Sequence, residues 1–509
     1  MCSSFLPYII SLVSLFDVRS ISTQDCTGTV SLPKYYHNGM VFQADGMPKV
    51  WGFTTNPSCP VNVKAACTDK NGSKRVLWAA SEGVETRDDA NVWEVTMNPL
   101  GSSGDECTIS IEQGNSKNVI NLDVILGDVW ICSGQSNMER RMDQIANATS
   151  EIQNSATYSN IRFYKVARHT SDQEESDIIG GSDKWHTPDN AAELKAFSAV
   201  CFLTARDLTD LMGDDKRVFG LIETVWGGTR VEAWSSQKAL DECDVEPSVL
   251  PDYPQNSNSY LWNAMVYPLL RTTVKGFLWY QGEANSGHNR DLYQCTFPAM
   301  IADWRLKFSK IEQIPPFGFV QLATNVNANG VEIRWHQTKD KGFVPNQGIA
   351  KVFMAVAFDT YDKENGIHPR YKQIVGERLS YGAANIAYGM TEYPTNGPFL
   401  EVVTQNGGFH EVTFDQDFTY NNEEISGFYV CCDSIATCDA AEGSWNRVPK
   451  EAVTVVLEER KLVLDLSGGC ASALAYAWED IPVETYLGAP IYADDPFRLP
   501  AAPWKVNLS

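Results

Sequence analysis

The spacing of apolar residues changes twice along the chain, and the changes divide it into three predicted regions. Between residues 24 and 126, short strand-like runs alternate with turn sequences, which is typical of an all-β, sandwich-like region. Between residues 127 and 390, apolar strands alternate with longer helical segments, which predicts an α/β domain around a mostly parallel sheet. Strand-like runs return between residues 391 and 509 and predict a second β-rich region.

Within the central region the individual elements are also predicted. Residues 370–388 form an amphipathic pattern that predicts the last helix of this region. Residues 169–189 are acidic and rich in serine and glycine, so they are predicted to form a surface loop. Buried strands are predicted where short apolar runs end in small or polar residues, over 129–132, 219–225, 276–280, 317–322 and 351–358.

The N-terminus indicates export from the cytosol. An apolar run from Phe5 to Phe16 is followed by small residues, and it is too short to span a bilayer, which predicts a signal peptide over residues 1–23. Thirteen cysteines are unusual for a cytosolic protein of 509 residues, and twelve remain once Cys2 is removed. We therefore expect a secreted or lysosomal protein with disulfides, and with glycan acceptors at three sequons, Asn71, Asn147 and Asn507.

The cysteines fall into groups that suggest where the disulfides form. Pairing is expected within an N-terminal group and within a C-terminal group, comprising Cys26, Cys59, Cys67 and Cys107, and Cys431, Cys432, Cys438 and Cys470. Cys132 and Cys201 lie in apolar runs and are interpreted as buried free thiols. The cysteine spacings do not match those of a zinc site.

The net charge restricts the classes of partner. A formal charge of -23 and a pI near 4.7 argue against nucleic acid or an anionic membrane surface as a partner. An anionic substrate would have to be met by a local arginine, because the guanidinium group matches a carboxylate in a bidentate manner. Arg230, Arg334 and Arg370 lie in or near the motif loops, and the sequence does not choose among them.

One segment carries most of the chemical information. Residues 127–138 read Gly-Asp-Val-Trp-Ile-Cys-Ser-Gly-Gln-Ser-Asn-Met, a buried strand followed at once by a turn into a helix. A serine at such a turn, Ser136, exposes its hydroxyl at the carboxyl edge of the sheet, near free N–H groups at the helix start. This is the geometry of an acyl-transferring nucleophile. The alternative is that Ser136 only caps the helix.

Four strand ends of the α/β region carry small or polar residues, and in a parallel sheet they open onto one edge. Ester hydrolysis needs a nucleophile, a base and N–H donors for the oxyanion. Ser136 is the predicted nucleophile and His368 the predicted base. The predicted donors are the Ser136 amide, the amide of Gly227 or Gly228, and the Asn285 side chain. Each piece also has a structural alternative: a turn at His368-Pro369, a tight turn at the two glycines, and a helix cap at Glu283 and Asn285.

These motifs resemble the sialate O-acetylesterase family, within the SGNH-type hydrolases. The similarity covers most of the chain, in the segments 127–138, 226–234, 260–269, 279–285, 367–379, 476–478 and 499–504. It implies an SGNH-type α/β fold and a serine–histidine mechanism on O-acetyl esters of sialic acids, without a metal or organic cofactor. Four residues of the motif loops are predicted to bind the substrate, Gln135, Gln281, Glu283 and Arg230.

One departure from the family concerns the third member of the triad. SGNH enzymes commonly carry an aspartate three residues before the histidine, where this chain has Asn365. Asparagine can orient an imidazole but does not stabilise its positive charge as a carboxylate does. Asp362 is the preferred replacement, ahead of Glu364 and Asp359, and a backbone carbonyl that orients His368 in a dyad is a further alternative.

Two other functions remain open at this stage. An acetylesterase for neutral carbohydrates such as xylan would use similar motifs without a cation in its site. A carbohydrate-binding relative that has lost its activity would explain the absence of an aspartate at position 365. The oligomeric state is not predicted.

Overall fold

The computed structural model describes residues 26–80, 84–87, 90–214, 216–308, 314–324, 329–421, 425–439 and 444–508. The predicted signal peptide lies outside these residues. The α-helices are α1 Ser136–Glu139, α2 Ala148–Ser155, α3 Ala191–Ala196, α4 Ala199–Met212, α5 Gln237–Asp241, α6 Tyr293–Phe308, α7 Gly330–Gln337, α8 Lys372–Tyr388 and α9 Ile435–Asp439.

The strands fall into the three predicted stretches of the chain. The first stretch contains β1 Val30–Ser31, β2 Met40–Gln43, β3 Lys49–Thr54, β4 Val61–Thr68, β5 Lys74–Ala80, β6 Val84–Arg87, β7 Ala90–Thr96 and β8 Glu106–Gln113. β9 Ile120–Gly134 begins in the first stretch and ends in the central one. The central stretch adds β10 Ile161–Lys165, β11 Phe219–Val225, β12 Gly276–Tyr280, β13 Phe317–Gln321 and β14 Val352–Val356. The last stretch comprises β15 Leu400–Asn406, β16 Phe409–Phe414, β17 Phe418–Tyr420, β18 Phe428–Cys431, β19 Trp445–Arg447, β20 Val453–Val456, β21 Lys461–Asp465, β22 Ala473–Tyr476, β23 Ile491–Ala493 and β24 Trp504–Asn507.

A parallel sheet forms the centre of the molecule, as predicted. Its strands lie in the order β10, β11, β9, β12, β13, β14, and every neighbouring pair in this order is parallel. β11, β12, β13 and β14 are buried along their whole length, which explains their continuous apolar sequences. After β9 the chain first adds β10 and β11 on one side of this strand, and it later adds β12 on the other side. Ligands bind at such a switch point, outside the carboxyl ends of the strands.

β9 corrects the prediction at the border between the first two regions. The sequence predicted a region border between residues 126 and 127 and a strand over 129–132, but one strand of 15 residues crosses this border. Its first half pairs antiparallel with β8 and its second half pairs parallel with β11 and β12. Asp128 lies within this strand, and its buried carboxylate accepts hydrogen bonds from Gln43 Nε2 at 3.0 Å and Arg217 Nε at 2.7 Å. Distant partners therefore allow a charged residue in the middle of a buried strand.

Helix α8 closes the central region and packs closely on α4. Gly376 lies where the two helices meet, since a Cβ atom there would come within 2.8 Å of Leu203 Cβ. The predicted helix over 370–388 is thus confirmed, with its start at Lys372. This start is important for the site because α8 begins four residues after His368.

The last stretch of chain is rich in strands, as predicted, and packs against the α/β region. It contains a sheet of β15, β16, β21 and β20, another of β19, β18, β22 and β24, and the pair β17–β23. Arg334 donates hydrogen bonds to the carbonyl oxygens of Glu479 and Asp480, both at 2.8 Å. Trp335 and Trp478 contact each other edge to face with 5.9 Å between ring centroids.

The disulfides confirm part of the cysteine assignment and overturn another part. Pairs form within the two predicted groups, as Cys26–Cys59, Cys67–Cys107, Cys431–Cys438 and Cys432–Cys470. Cys132 and Cys201 are not free thiols, because they form a disulfide between β9 and α4. Their apolar surroundings indicated burial correctly, but only the packing of α4 over the sheet brings the two Cα atoms within 5.8 Å. A further disulfide joins Cys243 to Cys295.

Candidate active site

The turn at the end of β9 presents Ser136 at the carboxyl edge of the sheet. Gly134, the last residue of β9, has a φ of +135°, and a Cβ atom there would lie 2.2 Å from the carbonyl oxygen of Tyr280. The next amide, that of Gln135, donates to the same carbonyl oxygen at 3.0 Å. Ser136 then begins α1, so its own N–H has no intrahelical acceptor.

His368 reaches Ser136 from the loop that follows β14. Its Nε2 lies 2.8 Å from Ser136 Oγ, although the two residues are 232 positions apart in the chain. The imidazole is half-buried, and burial lowers its pKa below the usual 6.5, with further lowering by Lys372 and Arg140. A neutral imidazole at this distance is placed to accept the serine proton.

The structure does not bring Asp362 to the imidazole. Its carboxylate accepts hydrogen bonds from Arg370 Nε at 2.9 Å and Asn365 Nδ2 at 3.1 Å, so the expected third member of a triad instead holds the loop together. These bonds to Arg370 and Asn365 also hold the pKa of Asp362 down at about 2, against the opposing effect of burial. Within the described residues, no group accepts a hydrogen bond from His368 Nδ1.

The other two acidic candidates are also engaged elsewhere. Asp359 is wholly buried in an ion pair with Arg378, at 2.6 Å, and accepts from the Tyr492 hydroxyl at 2.7 Å. The side chain of Glu364 is 77% exposed and pairs with Arg370. None of the three acidic residues proposed from the sequence therefore supplies the carboxylate of a triad.

The glycine turn after β11 lies against the nucleophile. A Cβ atom at Gly227 would come within 3.0 Å of Glu139 Oε2 and 3.3 Å of Ser136 Cβ, so a side chain here would crowd the nucleophile turn. The Gly227 amide donates to Glu139 Oε2 at 2.8 Å and is thereby occupied. Gly228 follows with a φ of +73° in the exposed part of the turn, and its amide remains the candidate oxyanion donor.

Asn285 is buried and committed to the protein interior, contrary to its predicted role as an oxyanion donor. Its Nδ2 donates to Glu232 Oε2 at 2.9 Å and to the carbonyl oxygen of His288 at 3.3 Å. Its Oδ1 accepts from the Val231 amide and from Gln281 Nε2. Both N–H groups of this amide are used, so Asn285 supports the loops around the site instead of pointing into it.

Three of the four predicted substrate-binding residues are engaged in internal bonds, namely Gln281, Gln135 and Glu283, whose Oε1 accepts from Asn137 Nδ2 at 2.6 Å. Gln281 is fully buried, and its Nε2 donates to the Thr229 carbonyl oxygen at 3.1 Å and to Asn285. Gln135 accepts from the Ala284 amide at 3.2 Å and joins the first and third motif loops. Both glutamines therefore fix the loops relative to each other.

The arginine candidates separate clearly. Arg334 is fully buried and donates to main-chain carbonyls, and Arg370 is paired with Asp362 and Glu364, so neither is available to a substrate carboxylate. Arg230 has no carboxylate within 4.0 Å among the described residues, and it lies just after the glycine turn.

Sequence reasoning missed two further arginines near Ser136. Arg140 donates to Asn365 Oδ1 at 3.3 Å and electrostatically lowers the pKa of His368. Arg168 pairs with Glu139, and its guanidinium lies 5.9 Å from the centroid of the Trp226 ring. Arg140 lies four residues after Ser136, and this spacing could have indicated that it is close to the nucleophile. Arg168 lies in a segment without a motif, so the sequence carries no such signal for it.

Two buried polar residues beneath the pair were also missed, Asn137 and Lys372. Asn137 lies within the nucleophile motif and Lys372 opens the last predicted helix, but apolar patterning gives no reason for a lysine to be buried there. Together with Glu283, they connect the nucleophile turn to the histidine loop.

The structure is thus an α/β fold with a serine–histidine pair at the carboxyl edge of its parallel sheet, an arrangement that suits nucleophilic ester hydrolysis. Residues 126–380 match the family model described as "Carbohydrate esterase, sialic acid-specific acetylesterase", and residues 401–508 match "Sialate O-acetylesterase C-terminal domain". The chain is 36% identical to human sialate O-acetylesterase, over 92% of this chain and 91% of the relative. The mouse sialate O-acetylesterase is 33% identical, over 93% and 94% of the two chains. The chain belongs to the sialate O-acetylesterase family, as the sequence motifs indicated.

A solved structure supports the overall architecture. A carbohydrate acetylesterase from Xanthomonas citri superposes with a TM-score of 0.75 and 23% identity, covering 94% of this chain and all of the other. At this identity the similarity concerns the fold. Among the described residues, no helix is long and apolar enough to cross a membrane, and no cluster of side chains fits a metal ion.

Proposed function

We propose that this protein hydrolyses O-acetyl esters of sialic acids through an acetyl-enzyme formed on Ser136. The observation that carries the proposal is the distance of 2.8 Å between Ser136 Oγ and His368 Nε2 at the carboxyl edge of the sheet. Membership in the sialate O-acetylesterase family supports the choice of substrate. The α/β region is assigned to the SGNH type, as its motif order suggests.

The reaction proceeds in two halves on the same two residues. His368 Nε2 takes the proton of Ser136 as Oγ attacks the acetyl carbonyl carbon, and the imidazolium then gives this proton to the departing sugar oxygen. A water molecule next loses a proton to His368 and attacks the acetyl-enzyme carbonyl carbon. Acetate leaves, and the proton returns to Ser136 Oγ.

The oxyanion formed in each half needs donors that are already in place. The Ser136 amide is free at the start of α1, and the Gly228 amide follows the turn that touches Ser136. We assign these two amides to the oxyanion. The Asn285 amide is left out because both of its N–H groups are bonded internally.

The carboxylate of the substrate requires a cation near the nucleophile. We assign this role to Arg230, since it has no carboxylate partner among the described residues and follows the glycine turn. Six disulfides support a protein that matures in an oxidising compartment, and we propose that it is secreted or lysosomal.

The test compares substrates in the wild type and in Ser136→Ala. The wild type is expected to release acetate from a 9-O-acetylated sialic acid and from a chromogenic acetate, and Ser136→Ala is expected to lose about 10⁴-fold or more in kcat on both. Arg230→Gln is expected to raise KM for the sialate and leave the uncharged chromogenic ester unaffected.

Two outcomes would contradict the proposal in different ways. Turnover of acetylated xylan together with none of the sialate would identify a neutral-carbohydrate esterase. Acetate release that survives in Ser136→Ala would remove the assigned mechanism.

A further inference from the structure

Three buried polar side chains lie beneath the serine–histidine pair and take no part in the chemistry above. Asn137, Glu283 and Lys372 are each at most 5% exposed. Lys372 Nζ donates to Asn137 Oδ1 at 2.6 Å, and Asn137 Nδ2 donates to Glu283 Oε1 at 2.6 Å. One asparagine therefore separates a buried cation from a buried acid and binds both. Such a network is costly to bury, so its position calls for an explanation.

Asn137 also connects the two halves of the dyad. Its Nδ2 donates a further hydrogen bond to the carbonyl oxygen of Ile367 at 2.9 Å. Asn137 directly follows Ser136, and Ile367 directly precedes His368. A single side chain thus ties the nucleophile turn to the histidine loop, while Glu283 anchors the same asparagine to the loop after β12.

The charges around the imidazole differ from those of a triad. Lys372 enters from the start of α8 and Arg140 from the end of α1, and both lower the pKa of His368 in addition to burial. Burial also lowers the pKa of Lys372 to about 7, with Glu283 opposing this effect. Asp362, an acid of the same loop, is bonded to Arg370 and not to the ring. The charged groups that act on the pKa of His368 are therefore two cations, and both lower it.

We propose that Asn137, Glu283 and Lys372 form a positioning network that holds His368 against Ser136, as an aspartate does in a triad. Within this network, Lys372 keeps the imidazole unprotonated. The proposal rests on the proposed function, since it assigns His368 as the base. Asn137 supplies the geometry that an aspartate on Nδ1 would otherwise fix. Lys372 disfavours the imidazolium before substrate binds, so that the base stays available under mildly acidic conditions.

The first test measures the pH profile of kcat/KM with a chromogenic acetate. Lys372→Met removes the cation, so the acid limb of the profile is expected to move up by about one pH unit. Lys275→Met is the matched control. Lys275 is partly buried and, like Lys372, lies over a tyrosine ring: its Nζ is 4.4 Å from the centroid of Tyr388, and Lys372 Nζ is 5.1 Å from that of Tyr280. The control is expected to leave the limb in place.

A purely structural lysine would lower activity at every pH without moving the limb, and that result in Lys372→Met would overturn the proposal. Should this variant fail to fold, a titration of the His368 ring by NMR in the wild type replaces it. A midpoint below 6.5 is expected, and one at or above 6.5 would contradict the network. Loss of activity in Ser136→Ala tests the proposed function separately, because it does not depend on where the limb lies.

The second test addresses positioning. Asn137→Asp keeps the size of the side chain but cannot donate to Ile367 or Glu283, so kcat is expected to fall about 10²-fold with little change in KM. Asn160→Asp is the control, because Asn160 is a buried asparagine that donates to Thr209 and Arg217 in another part of the fold. Equal loss of kcat in both variants would show that any charged group in the interior has this effect and would refute the positioning role.

Discussion

The two residues of the dyad are held in place in different ways. Ser136 is placed by its own neighbours in the chain: a buried central strand, a glycine that turns beneath Tyr280, and the first turn of a helix. His368 follows an edge strand of the parallel sheet and lies in a loop without regular structure. It is placed by Asn137, which is distant in the chain, and by the bonds among Asp362, Asn365 and Arg370 within its own loop.

This difference explains why a local motif specifies the position of Ser136, whereas the residues around His368 do not specify where its ring lies. A strand followed by Ser-Gly-Gln-Ser specifies a backbone path, and the path specifies where the hydroxyl points. A histidine before a proline specifies only a turn. The loop around His368 brings the ring to Ser136 only when the rest of the fold supplies its partners.

The largest change in stability is expected from the disulfide on the serine side. Cys132–Cys201 closes a separation of 69 residues between β9 and α4, so replacing both cysteines by alanine is expected to cost about 4 kcal/mol in the free energy of unfolding. Denaturant titration under non-oxidising conditions measures this cost. The cysteines of the pair Cys431–Cys438 are only 7 positions apart, and replacing both by alanine is expected to cost about 2 kcal/mol in the free energy of unfolding. Equal costs would show that loop length does not govern the effect.

A smaller change, in activity, is expected at the turn that places Ser136. Gly134→Ala pushes a methyl group toward the Tyr280 carbonyl oxygen, and the resulting displacement of the serine is expected to lower kcat about 10²-fold. Gly72 is the control: it has a φ of +83° and open space around it, so Gly72→Ala is expected to cost about 1 kcal/mol in stability and leave kcat unchanged. An unchanged kcat in Gly134→Ala would show that local backbone geometry does not place the serine.

The smallest effect is expected at Asp362, on the histidine side. Because its carboxylate does not reach the ring, Asp362→Asn is expected to lower kcat by less than about tenfold, against about 10⁴-fold for a triad aspartate. A loss of the larger size would restore the triad and contradict the structure.

The same variant has a pH signature in stability. The folded pKa of Asp362, about 2, lies below its ordinary value of 3.8, so its contribution is present above pH 4 and is lost as the pH falls toward 2. The difference in unfolding free energy between the wild type and Asp362→Asn is therefore expected to shrink between pH 5 and pH 2.5. A difference that stays constant over this range would indicate that Asp362 is not ion-paired in the folded state.

Much of the architecture followed from the amino-acid sequence. Continuous apolar runs such as Phe219–Val225 and Gly276–Tyr280 predicted the buried strands at their observed limits, because a parallel sheet covered on both faces demands such runs. The nucleophile turn and the histidine were both identified from the residues that follow those strands. Pairing of the cysteines within the terminal groups also followed from their proximity in the chain.

The tertiary structure decided which partners the buried polar side chains and cysteines contact. It paired Cys132 with Cys201 and turned the Asn285 side chain toward Glu232. It also gave the Asp128 carboxylate a partner in Arg217, so that β9 runs through this position without a break. These outcomes depend on partners that are far away in the chain, and apolar spacing carries no information about which polar groups will meet. Local sequence determines the path of the backbone, whereas the pairing of buried polar groups is settled only when the whole fold has formed.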